Sequence, residues 1–369
     1  MLEGVRVIDA TRLLPGPLCT HWLALHGAEV LKLEHPDGGD PTRWLPPLIG
    51  APPAGALFRF LNAGKKSVAL DLGQAGGRRA FEALLAEADV LVDSFRPGVL
   101  SSFGFGSEAL SARFPKLVSC SLTGYGPGRH AERPGHDLGY MARSGAIGLR
   151  PVVPSVQVAD VGGAWAALAG IALALFARTR TGQGRRVDVS LTDVATSFGA
   201  EAWARWWAEE QGESTEVLLD GRRPCYSLYP VSDGWLAVCA LEPKFWTAFC
   251  RALDLEALEV RGLDLAPEVR VQVAERLAPR TRLEWMEHFA SVDTCVEPVW
   301  TTGEAASDPL LQERGVAPLA RGHLGPCFGQ GFELGEAPAL GADTEEVLAG
   351  LKLSEIVRAE VLARAGRTG

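Results

Sequence analysis

The feature that most narrows the fold is an alternation, early in the chain, between short β-branched apolar runs and stretches of helical periodicity. "VRVIDA" (5–10) reads as a strand, "HWLALHGA" (21–28) as a helix and "EVLKLEH" (29–35) as a strand, which makes a βαβ unit. The pattern recurs with "KSVALDL" (66–72), a helix around "GRRAFEALLAEA" (77–88), "DVLVDSF" (89–95) and "KLVSCSL" (116–122). This spacing predicts an α/β fold: a parallel sheet covered by helices, with ligand loops at the carboxyl ends of its strands. Those ends carry the turns "LLPGP", "EHPDGGD", "FRPG" and "TGYGPG", so a ligand is expected there.

Further on, "AWAALAGIALALFA" (164–177) is a run of about fourteen apolar residues, short of the roughly twenty that span a bilayer. It reads as a buried helix, and no membrane association is expected. "GRRVDVSLTDVATSFGAEAWARWW" then gives a strand and a long helix, after which the texture changes. "GRRPCYSLYPVSDGWLAVCA" (221–240) reads as an antiparallel hairpin about a Ser-Asp-Gly turn, with helices at about 243–290. The expected organisation is a large domain over 1–219, a smaller α+β domain over 220–315, and a return to the large domain over 316–369. The tail is helical, with a capping box at Asp343.

A net charge of −9 offers no basic field for a polyanion, so nucleic acid is not an expected partner. "MLEGVR" lacks the charged cap and apolar run of a signal peptide. Seven cysteines without CxxC spacing argue against a disulfide framework and a zinc site; a reducing cytoplasm fits. "GKKS" (64–67) has neither the glycine nor the register of a phosphate-binding P-loop, and no GxGxxG follows "VRVIDA". Both a Walker-type nucleotide site and a nicotinamide dehydrogenase are disfavoured.

Several stretches, in order, resemble the family III CoA-transferases, which include formyl-CoA transferase, carnitine CoA-transferase and α-methylacyl-CoA racemase. They are "RVIDATRLLPGPLCTHWLALHGAEVLKLEHPDGGDPTR", "LNAGKKSVALDL", "VLVDSFRPGVL", "LTGYGPG", "RPGHDLGYMARSG", "VADVGGAWAALAG", "GQGRRVDVSLTD" and "DTCVEPV". The resemblance implies a Rossmann-like large domain built from both chain ends, a small domain, and an obligate homodimer of interlocked protomers. It implies an acyl-CoA thioester as substrate, with no further cofactor and no metal, and a place in fatty acid metabolism. Positions matching the family's CoA-contacting turns are Arg12, Leu14, His35, Lys65, Lys66, Phe95, Arg96, Gly124 and Tyr125. Such a ligand needs cations for its phosphates and apolar walls for its pantetheine arm.

Two residues carry the chemistry. Asp160, opening the apolar helix, reads either as an N-cap or as a carboxylate held ionised at a positive helix end. His136, in "RPGHDLGY", reads either as a structural histidine or as a base. The resemblance aligns Asp160 with the transferases' nucleophile and one of the racemase's two bases, and His136 with the racemase's histidine. It aligns Glu242, in "ALEPKFW", with a glutamate that completes the racemase site. The glycine-rich loop of the transferases is missing from "LLDGRRPCYSLY", whereas the link 137–159 looks shorter than in the racemases. The implied function is epimerisation at C2 of a 2-methylacyl-CoA through a thioester enolate, with amides at the start of the 160 helix facing its oxygen. The alternatives are CoA transfer through an aspartyl-CoA intermediate at Asp160, and a non-catalytic acyl-CoA-binding protein.

Overall fold

The computed structural model describes residues 1–148, 152–213, 217–316 and 322–366. Six parallel strands form the main sheet: β1 (Arg6–Ala10), β2 (Glu29–Glu34), β3 (Lys66–Ala69), β4 (Val90–Asp93), β5 (Val118–Thr123) and β6 (Arg186–Ser190). Their order is 3-2-1-4-5-6, that of a dinucleotide-binding sheet, although the glycine fingerprint of that class is absent. Registers such as Val7↔Val30 and Val7↔Val90 place β1 at the centre.

Alternation along β1 sends its side chains to opposite faces, and each face has a core. Val7 joins Val30, Val92, Val118 and the helices Pro15–Leu25 and Val158–Thr181; Ile8 joins Leu31, Val68, Leu91 and Phe81 of the helix Ala75–Ala86. Because both faces are covered, a charge inside a central strand is buried whichever way it points. The first helix begins at Pro15, earlier than its apolar periodicity at 21–28 suggests, because proline suits a first helical turn.

The apolar run at 164–177 lies inside a 24-residue helix, Val158–Thr181, which by length and composition could cross a membrane. The fourteen-residue reading was therefore too short. Here one side of the helix, including Ala159, Gly163, Ala164, Ala167 and Ile171, is buried in the protein core.

The returning tail laces the outer edge of the sheet. Asp343 accepts the Ser67 N–H at 2.7 Å and Thr344 accepts the Ala69 N–H at 2.9 Å, so donors on edge strand β3 do not stand open. Asp343 does precede the helix Thr344–Gly350, but it makes no side-chain cap bond there. Its carboxylate is given to β3 instead, which corrects the capping box expected from sequence.

The chain divides into two compact units, Met1–Trp203 with Glu313–Gly369, and Ala204–Gln312; the helix Ala200–Glu210 contains the first boundary. The second unit holds the hairpin of β7 (Tyr226–Val231) and β8 (Gly234–Cys239), with β9 (Val296–Pro298) antiparallel on the other side of β8. Leu236 and Val238 point from β8 into a core with Trp246, Phe249, Val273 and Trp285 from its helices.

Candidate active site

A cleft of about 450 Å³ opens at the carboxyl ends of β1 to β4. It spans the point between β1 and β4 where the strand order reverses, the place where open α/β sheets hold ligands. Of the expected CoA contacts, Arg12, His35, Phe95 and Arg96 line it. Both arginines are exposed, and Phe95 packs partly against the core beneath. The segment Leu70–Gly73, with Ser94, Val99 and Phe103, also lines the cleft and was not singled out from sequence. Its signal was positional only: it directly follows a strand.

The His35 ring is held between acids. Its Nδ1 accepts the Asp37 N–H at 3.0 Å, which turns Nε2 toward Asp71 Oδ1 at 3.6 Å. Asp71 in turn pairs with Arg364 at 2.8 Å, tying the cleft to the helix Glu355–Ala365.

Lys65 does not belong to the cleft. Its side chain has no exposed surface, and Nζ is surrounded by Asp9 Oδ2 (2.9 Å), Thr20 Oγ1 (2.7 Å), Asn62 Oδ1 (2.9 Å) and the Pro17 carbonyl (3.0 Å). Burial pushes its ammonium down to about 8 against the pull of Asp9. Burial would raise the Asp9 carboxyl, but Lys32 and Lys65 outweigh it and hold the group well below its ordinary range. Lys32, fully buried on β2, donates to the Thr11 carbonyl at 3.1 Å and pairs with Asp40 at 3.0 Å. Arg43 clamps Glu34 through two bonds of 2.9 and 2.6 Å. These buried charges pin the floor of the turns that shape the cleft, and Leu13 in the first turn is held at φ 68°, a costly value for leucine.

Lys66 is also misplaced for phosphate. It begins β3, at the amino end of the sheet, where it pairs with Glu346 at 3.0 Å and Glu29 at 3.5 Å. The "KK" pair thus splits between a buried network and the opposite edge of the sheet. Leu14 is the residue preceding the Pro15–Leu25 helix and packs against the core.

The other candidates gather beyond the ends of β5 and β6. Gly124 gives room to Tyr140, whose ring lies 2.5 Å from where a Cβ would stand. The Tyr125 ring meets Tyr140 edge-on at 5.2 Å, and the Arg133 guanidinium lies 5.5 Å from its centre. His136 is exposed and precedes the helix Asp137–Ser144, while Asp160 is the third residue of Val158–Thr181. Gln157 occupies the N-cap position, so the N-cap reading of Asp160 is corrected by three residues.

The two helix starts are tied together. Asp137 Oδ1 accepts the Asp160 N–H at 3.0 Å, so that amide is not open to an enolate oxygen. Burial pushes the Asp160 carboxyl up to about 6, Asp137 adds to the shift, and nearby His136 opposes it. The helix start therefore does not hold this carboxylate in its ordinary acidic range, contrary to the expectation from position alone. Burial, with Asp160 next, pushes the Tyr140 hydroxyl up to about 12. The arrangement places one carboxyl raised to about 6 near one imidazole, the two residue types general acid–base chemistry uses most.

Glu242 lies in the second unit. It is exposed at the N-cap position of the helix Pro243–Ala252 and makes no side-chain cap bond. Among the described residues no group of three or more His, Cys, Asp or Glu is arranged to hold a metal.

Comparison with known proteins agrees with this architecture. The family model of CoA-transferase family III matches residues 2–344. The chain is 34% identical over 330 residues to the alpha-methylacyl-CoA racemase of Mus musculus, covering 85% of this chain and 81% of that protein. It is 29% identical over 347 residues to the succinate–glutarate CoA-transferase of Agrobacterium fabrum, covering 85% and 84%. A CAIB/BAIF family protein from Brucella suis superposes with a TM-score of 0.84 at 27% identity, over 94% of this chain and 98% of that one. With a family match across nearly the whole length and a switch-point cleft in a six-stranded parallel sheet, this chain belongs to CoA-transferase family III.

Proposed function

We propose that the chain is an α-methylacyl-CoA racemase that inverts C2 of a 2-methylacyl-CoA. One observation carries the reading: a carboxyl raised to about 6 stands beside an exposed histidine at two joined helix starts. Inversion through a planar enolate requires a proton acceptor on one face and a donor on the other, each with affinity for a proton near the working pH. In one direction the Asp160 carboxylate takes the α-proton while imidazolium His136 returns one to the opposite face; in the other the roles exchange. The cleft lined by Arg12, Phe95 and Arg96 receives the phosphates and the apolar arm, the arginines by charge-assisted hydrogen bonds. The partner's Glu242 completes the site by orienting His136, in a homodimer housed in the cytoplasm.

A transferase reading competes, since curated transferases match over the same share of the chain as the racemases. The test is incubation with a single epimer of a 2-methylacyl-CoA in D2O, with no free acid present. Deuterium at C2 with loss of stereochemical purity, abolished in His136→Ala and Asp160→Ala, is the expected result. No label, together with hydroxylamine trapping of an activated Asp160 from acyl-CoA, would establish the transferase instead. Near-normal epimerisation by His136→Ala would sink the two-base mechanism.

A further inference from the structure

The second unit carries one thiol at the end of β8, Cys239, and another immediately before β9, Cys295. The β8–β9 register pairs Leu236 with Pro298 and Val238 with Val296, so Cys239 stands opposite Cys295. The Cys239 N–H donates to the Cys295 carbonyl at 2.9 Å, which marks a hydrogen-bonded pair site. In a regular ladder residues opposed there have Cα atoms about 5.5 Å apart, and disulfides bridge Cα separations of roughly 4.4–6.8 Å. Leu236 and Val238 face the core, so Cys239 points to the open face of the sheet and is exposed, with Cys295 half-exposed. Cys295 adopts φ 49°, a left-handed conformation uncommon for a residue with a side chain. Burial, Asp293, Glu242 and Cys239 push the Cys295 thiol up, with Lys244 opposing, and burial with Glu297 pushes the Cys239 thiol up. Cys19, Cys120, Cys225 and Cys250 are buried, and Cys327, also exposed, lies in the other unit.

We infer that Cys239 and Cys295 form an oxidisable dithiol site whose reactant is a hydroperoxide. The more exposed thiolate, Cys239, attacks one peroxide oxygen; the O–O bond breaks, an alcohol or water leaves, and a sulfenic acid remains. The Cys295 sulfur then attacks the Cys239 sulfur, and the hydroxyl departs as water with the second thiol's proton. Two electrons pass from the sulfurs to the peroxide, so two thiols and ROOH yield one disulfide, ROH and water. The bond closes the segment that holds the helices Pro243–Ala252, Pro267–Leu277 and Arg282–Phe289 and fixes the turn leading to Glu242. This site stands on the thiols alone and does not depend on the racemase reading.

The test treats the reduced full-length protein with hydrogen peroxide, blocks the remaining thiols, digests without reduction and maps cross-linked peptides by mass spectrometry. The expected product is an intramolecular Cys239–Cys295 link with loss of two hydrogens from the intact mass, reversed by dithiothreitol. Both Cys239→Ser and Cys295→Ser lose it. Phenylarsine oxide, which bridges close thiol pairs, should be retained by the untreated protein and released by either variant. Oxidation of Cys239 alone to sulfinate, a link through Cys327 or between two chains, or no arsenical retention would overturn the inference.

Discussion

Asp160 shows how a residue can oppose the stability of its own fold. With an ordinary value of 3.8 raised to about 6, the folded chain holds this proton more tightly than the unfolded chain does. Between those values the unfolded state releases the proton first, so stability falls as pH rises through the window and stays reduced above it. Asp160→Asn should therefore raise the unfolding free energy at pH 7.5 by on the order of 1–2 kcal/mol, discounted for partial exposure, while abolishing proton exchange at C2. Thermal melts at pH 4 and 7.5 check it: most of the gain should be gone at the lower pH. Asp137 supplies part of the shift through its charge and also accepts the Asp160 amide. Asp137→Asn keeps an acceptor and removes the charge, so the acid limb of the pH–rate profile should move to lower pH with the maximal rate less affected. An unmoved limb would show that burial alone sets Asp160.

At the scale of elements, the turns after the strands divide into those that present a ligand site and those that brace it. Arg96 stands exposed on the turn after β4, whereas Lys65, just before β3, is enclosed by four oxygens, and Lys66 is tied to two glutamates at the amino edge. Arg96→Ala should raise KM for the thioester about tenfold or more, the loss of a charge-assisted contact, with a weakened salt dependence. Lys66→Ala should leave KM unchanged. Lys65→Met breaks a buried ion pair and should cost about 3–5 kcal/mol of stability, seen as a lower denaturation midpoint. The difference explains what was legible. Alternating strand and helix patterns located the sheet and its ligand edge, and the order of motifs brought His136, Asp160, Arg12 and Arg96 into view. In "EVLKLE", however, Lys32 and Glu34 fall at every second position, which by periodicity reads as a solvent face. Only the helices on both sides of the sheet make them buried charges, and that covering is tertiary. The same holds for "KK", where adjacent lysines point to opposite sides of one strand start, and for Asp160, whose altered proton affinity comes from burial and from Asp137.

At the scale of the whole molecule, apolar side chains left on the surface bear on assembly. Leu173 and Phe176 on the helix Val158–Thr181 are 69% and 64% exposed, and Trp207 on the helix Ala200–Glu210 is 65% exposed. Each would leave water on meeting an apolar partner, and a fully buried large side chain contributes roughly 1.5–3 kcal/mol. Leu173 and Phe176 fall three residues apart on one helix, and exposed apolar groups so spaced fit the proposed homodimer, since exposed apolar patches mark interaction surfaces. Sedimentation equilibrium should give twice the chain mass at micromolar concentration. Phe176→Asp and Trp207→Glu, at positions whose exposure makes the isolated fold tolerant of charge, should each shift the equilibrium toward monomer while the far-ultraviolet circular dichroism stays native. If the homodimer is needed to complete the site, racemisation should fall in step with dimer fraction on dilution, and raising the protein concentration should restore it. A wild-type chain that sediments as a monomer with full activity would remove the homodimer from the proposed mechanism and leave His136 and Asp160, both in one unit, to act within a single chain.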